Sequence, residues 1–160
     1  MAVDMFLKLE GIKGESADGK HKEEIDVLAW SWGAAQHGSR GTGAGGGSGK
    51  VQVQDISFTK YVDSATAALL QDCCAGSHIP SATLTVRKAG GKAPLDYLTI
   101  TLKEVLVSSI STGGSGGEDR ITENVTLNFA SFKLEYKPQK ADGSADGPKT
   151  ATWNIAKNTP

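Results

Sequence analysis

With 160 residues the chain is long enough for one domain with a sizeable core, whereas two domains would each be small and poorly buried. Its 17 Lys and Arg against 18 Asp and Glu leave a net charge of −1, without the basic excess of a nucleic-acid binder or a pull toward anionic membranes. No run approaches the roughly 20 apolar residues of a membrane span, and Met1 to Lys13, interrupted by Asp4, Lys8 and Glu10, lacks the pattern of a secretory leader, so folding in the cytoplasm is expected.

Alternation with period two dominates from the first residues. Met5, Leu7 and Leu9 share one face of a first strand, with Lys8 and Glu10 opposite. In Ile25 to Trp32 the large side chains Leu28, Trp30 and Trp32 predict the core face. Ile25, Val27, Ala29 and Ser31 then lie opposite, and Ile25 and Val27 are candidate anchors for a neighbouring subunit. Val51 and Val53 are out of phase with Ile56 and Phe58, which predicts a bulge or change of face near Gln54 and Asp55. Asp63 or Ser64 can cap a helix whose apolar stripe is Leu69, Leu70, Cys73 and Cys74, with Gly76 as its stop. Beyond it, Ala82, Leu84 and Val86 alternate with Thr83, Thr85 and Arg87, and Leu98, Ile100 and Leu102 with Thr99 and Thr101. Ile121 to Lys137 reads as the longest strand, changing parity between Phe129 and Phe132, and Thr150 to Ile155 closes the set. One helix among many strands, with no βαβ alternation, predicts a mainly β protein, an antiparallel barrel or sandwich.

Twenty glycines, clustered, predict long loops, namely Gly38 to Gly49, Gly113 to Asp119 and the polar Ala141 to Pro148. Gly41, Gly43 and Gly46 match the spacing of a dinucleotide-binding turn. A strand pattern follows them where that site needs a helix N-terminus, so no cofactor is expected. His21, His37 and His78 fall far apart in predicted loops and show no metal-ligand spacing, so they are read as surface residues. Cys73 and Cys74 are adjacent, poorly placed to bridge each other, and are read as reduced and structural. No nucleophile elbow is present, and the acidic pair Glu118 and Asp119 beside Arg120 suits an interface better than general acid catalysis. The chain is therefore expected not to be an enzyme.

The stretches MAVDMFLKLEGIKGES, EEIDVLAWSWG, KVQVQDISFTKYVDSAT, LTVRKAGG and YLTITLKEVLVSSISTGGSGGEDRITENVTLNF, with YKPQKADG and the terminal WNI, resemble the haemolysin-coregulated protein (Hcp) family of bacterial type VI secretion. The resemblance spans residues 1–160 as a single Hcp-like tube domain. It implies an antiparallel two-sheet β-barrel with one flanking helix, similar to phage tail-tube proteins. It further implies a hexameric ring that stacks into a tube inside a contractile sheath below a spike, and that leaves the cell without a cleaved signal while carrying small effectors. A ring acting alone as an effector-binding chaperone is the alternative. On this basis Ser31, with Ala29, is expected on the lumen wall in contact with effector. Arg40, Glu118, Asp119 and Arg120 are expected on loops at the ring's flat faces, where the next ring stacks.

Overall fold

The computed structural model describes residues 3–37, 49–88 and 93–160. Strand β1 (Asp4–Leu9) carries the expected alternation, with Leu7 and Leu9 buried and Met5 packed beside them. It pairs antiparallel with β7 (His78–Lys88), and β7 with β8 (Leu95–Thr112). The path continues through β9 (Thr122–Asn128) and β6 (Ile56–Tyr61) to β3 (Ala29–Ser31), every pair antiparallel. Strand β2 (Ile25–Asp26) returns to β1. β2 and β3 belong to one short run of chain, so the hydrogen bonds pass right round. The Val27 N–H donates to the Met5 carbonyl at 2.9 Å, and the next N–H, of Leu28, to the Thr59 carbonyl at 2.8 Å. An antiparallel sheet joined in this way leaves few bare edges to template aggregation.

β8, at 18 residues, is the longest strand, and it serves two partners along one edge. Leu98 to Lys103 pair with β10 (Ser131–Tyr136), and Leu106 to Thr112 pair with β9. Between them Glu104 sits at φ +52°, a left-handed conformation that a non-glycine residue adopts only at a cost. The strand turns from one sheet to the other there. β11 (Lys149–Asn154) lies outside β10. The run expected to be the longest strand, Ile121 to Lys137, breaks into β9 and β10 at Phe129 and Ala130, where its parity was expected to flip. The other parity switch also separates two strands. β5 (Gln52–Val53) pairs with β4 (Ala34–Ala35) in a small ribbon, while β6 joins the barrel.

Leu7, Ile25, Ile56, Leu84, Ile100, Leu102 and Leu127, each 0 to 2% exposed, fill the interior. This reverses part of the reading of residues 25–32. Ile25 and Val27 are core residues and not subunit anchors, whereas Leu28 is 40% exposed. The chain bends at Leu28, and the inward face passes from odd to even positions, so Trp30 and Trp32 do pack on the core as expected.

Helix α1 (Thr66–Ala75) lies against β8. Asp63 steadies its start, its Oδ1 accepting the Ala65 N–H at 2.9 Å. Gly76, at φ +63°, ends it by donating its N–H to the Asp72 carbonyl. The apolar stripe is narrower than expected. Leu69 is buried and Cys73 packs beside it, but Leu70 and Cys74, one residue further on and so about 100° round the helix, face outward. Both thiols are free, and Cys74 is not a buried packing residue.

Charged side chains account for the remaining corrections. Beneath the first turn of α1, Lys60 and Glu123 are wholly buried and paired with each other. Lys60 Nζ also reaches Asp63 Oδ1 at 2.9 Å and Thr66 Oγ1 at 3.2 Å, and Thr66 Oγ1 donates to Glu123 Oε1 at 2.7 Å. Thr85 and Arg87, on the polar side of the alternation in β7, are buried, Arg87 beneath the segment that carries Asp18. There Arg87 holds Asp18 through two hydrogen bonds, of 2.9 and 2.6 Å, and Asp4 at 3.0 Å. His21 is likewise buried, its ring stacked on Phe6 with centroids 4.3 Å apart, and His78 lies on a strand. Of the three histidines, His37 is the one that keeps its expected place as an exposed residue outside any strand or helix.

Candidate functional site

The pleat points alternate side chains of β3, β6, β9 and the second half of β8 away from the core, and strand register aligns them into rows. One row reads Ser31, Ser57, Thr126 and Ser109 across the four strands. The next reads Ala29, Thr59, Asn124 and Ser111. All eight are small and uncharged. Ser31 and Ala29 are exposed, and the strands beside them extend their chemistry into a wall.

Hydrogen bonds within the wall hold four of these polar groups in place, those of Thr59, Asn124, Thr126 and Ser109. Thr59 Oγ1 donates to Asn124 Oδ1 at 2.6 Å. A register shift in β8 between Val107 and Ser109 leaves Ser108 as an extra outward residue. Ser108 Oγ then reaches Asp55 Oδ2 at 2.7 Å and Thr126 Oγ1 at 2.7 Å, and Thr126 Oγ1 reaches Ser109 Oγ at 2.6 Å. Each hydroxyl has one proton to give. Since Ser108 gives its proton to Asp55, Thr126 must donate to Ser108 and Ser109 to Thr126. The three hydroxyls form a directed chain that ends on the Asp55 carboxylate, which also accepts from Asn128 Nδ2 at 2.9 Å.

At the opposite end of the wall, the Arg120 guanidinium lies 3.8 Å from the centre of the Tyr61 ring. Glu118 and Asp119 are exposed on the loop after β8. Arg40 lies outside the described residues, as does the rest of 38–48 with the glycine trio spaced like a dinucleotide turn; Gly49 is exposed. Asp18 belongs to no site, but its environment is distinctive. Hydrogen bonding from Arg87, helped by the backbone N–H groups of Lys20 and His21, holds its carboxyl well below the usual carboxylate range. Among the described residues, no group of three or more His, Cys, Asp or Glu side chains is placed to hold a metal ion. Among the same residues, no helix is long and apolar enough to cross a membrane.

A hydrogen-bonded antiparallel barrel with a helix on one side and a broad hydroxyl-rich outer wall defines a β-protein that presents surface. The chain belongs to the Hcp family: residues 6–136 match the family described as "Type VI secretion system effector, Hcp". It is 64% identical over 159 residues to protein hcp1 of Pseudomonas aeruginosa, covering 99% of this chain and 98% of that protein. Hcp1 of Salmonella typhimurium superposes with a TM-score of 0.81 at 40% identity over 99% of both chains. A solved type six secretion system protein superposes with a TM-score of 0.91 at 30% identity, also over 99% of both. The resemblance drawn from the sequence is thereby borne out, together with the mainly β fold.

Proposed function

We propose that the chain is a structural subunit of a ring that stacks into the inner tube of a type VI secretion system. The wall formed by β3, β6, β9 and β8 faces the lumen. The tube leaves the cell with small effectors inside it, and no step calls for catalysis by this chain. The observation that carries the reading is the pair of registered rows from Ser31 to Ser109 and from Ala29 to Ser111. Short hydroxyls and a single amide offer a load neither apolar area nor fixed charge along the rows, so it can be held and released. Family membership supports the ring and the tube. A ring requires heterologous contacts whose rotation closes, and six subunits are the number the family implies.

Gel filtration coupled to light scattering tests the ring directly. A particle of about six times the 16.7 kDa chain mass is expected at micromolar concentration, with stacked rings seen by negative-stain microscopy. A monomer under those conditions overturns the reading.

A further inference from the structure

Asp55 is the carboxylate at the end of the uncharged wall. It stands between β5 and β6, on a corner fixed by two hydrogen bonds. The Trp32 Nε1 donates to the Gln54 carbonyl at 2.9 Å, and the Gln54 N–H to the Gly33 carbonyl at 2.9 Å. Its side chain lies on the same face as the polar rows, since it binds Asn128 and Ser108 there. The directed chain Ser109, Thr126, Ser108 delivers its last proton to Asp55, so three aligned hydroxyl dipoles converge on one anion. Among the described residues, no Lys, Arg or His stands within ion-pair distance of it. Buried carboxylates elsewhere in this molecule keep a cation, as Glu123 keeps Lys60. Asp55 is half-buried, and its two hydrogen bonds use about half of the roughly four acceptor positions of a carboxylate.

From this geometry we infer that Asp55 is a cation-recognition point on the lumen wall, repeated once per subunit as a collar of carboxylates. The preferred load is a polypeptide presenting lysine or arginine side chains. The inference rests on the proposed ring with this wall inward. The neutral rows let a load slide, while the collar supplies an anionic contact that discriminates between loads. The free acceptor positions suit an ammonium or guanidinium group, whose charge-assisted hydrogen bonds are stronger than those among the neutral hydroxyls.

The test uses the purified assembled protein with two fluorescent hexapeptides, one of lysine and one of glutamate, read by anisotropy at low and at 0.5 M salt. The lysine peptide is expected to bind in a salt-dependent manner and the glutamate peptide not to. Asp55→Asn, nearly isosteric and able to keep the Asn128 contact, is expected to weaken lysine-peptide binding at least about tenfold. Light scattering should show the ring unchanged. Adding Ser57→Asp to Asp55→Asn returns a carboxylate to the neighbouring position of the same face and should restore the preference. Equal binding of the lysine peptide to wild type and Asp55→Asn, or failure of Ser57→Asp to restore it, in an intact ring overturns the collar alone. A monomeric wild type overturns the ring and the collar with it.

Discussion

Lys60→Met isolates what the buried ion cluster contributes. The substitution removes the single cation from a group that holds two carboxylates, Glu123 and Asp63. Glu123 is wholly buried, and its Oε2 has no hydrogen-bond partner. After the change its remaining donor is Thr66 Oγ1. Removing one partner of a buried pair costs about 3–5 kcal/mol, because the other charge stays buried without compensation. For a chain of this size each kcal/mol moves Tm by about 2–4 °C, so a fall on the order of 10 °C is expected. Lys60→Met combined with Glu123→Leu should recover most of that fall, since an apolar pair of similar volume is neutral or stabilising in such places. The assay is thermal unfolding followed by far-ultraviolet circular dichroism at pH 7. Protomer concentration must be held fixed, because assembly itself shifts Tm. A single variant within about 1 kcal/mol of wild type, or a double variant no better than the single, refutes the reasoning.

Ser31→Gln lengthens one side chain in the first row of the wall without touching the core. The ring should keep its mass in light scattering while retention of effector falls, and loss of the ring would instead place Ser31 between subunits. Glu118→Lys with Asp119→Lys should abolish tubes in negative stain yet leave rings intact; dissociated rings would move that loop to the subunit interface. Asp18→Asn tests the acid side of stability. Because Arg87 depresses the Asp18 carboxyl, its contribution is complete above the ordinary carboxylate value of about 4 and is lost as pH falls. The variant should be less stable than wild type at pH 7, with the two stabilities converging in acid; parallel curves would contradict this.

The strands were legible because period two survives in Met5, Leu7 and Leu9 and in Leu98, Ile100 and Leu102, and the parity switches at Gln54 and after Phe129 marked real strand ends. The run 25–32 misled because two tryptophans outweighed Ile25 and Val27, and no residue type announces the bend at Leu28. Lys60, Arg87 and Glu123 were unreadable for another reason. A charge within a strand is normally assigned to solvent, and burying it requires a partner such as Glu123 for Lys60, 63 residues away. The wall was found at Ala29 and Ser31 alone. Ser57, Thr59, Asn124, Thr126, Ser109 and Ser111 each look like ordinary solvent-side β residues, and only register brings them into rows. The available signal was collective: in four separate strands, two successive outer positions carry Ala, Ser, Thr or Asn.

The run from Ile25 to Ser31, which bonds first to β1 and then to β6, also determines the order in which the molecule comes together. β7, β8 and β9 pair with their neighbours in the chain and can zip locally, whereas Asp4 meets Arg87 across 83 residues and Thr59 meets Asn124 across 65. Contacts of such separation form late, because chain entropy is lost before they are made. Residues 25–31 need both β1 and β6 in place, so they are expected to lock late. Amides of Val27 and Leu28 should exchange with solvent before those of Ile100 and Leu102, which are bonded deep within β8. On the proposed assignment, Ala29 and Ser31 then meet a passing load on the short strand through which the chain closes onto β6.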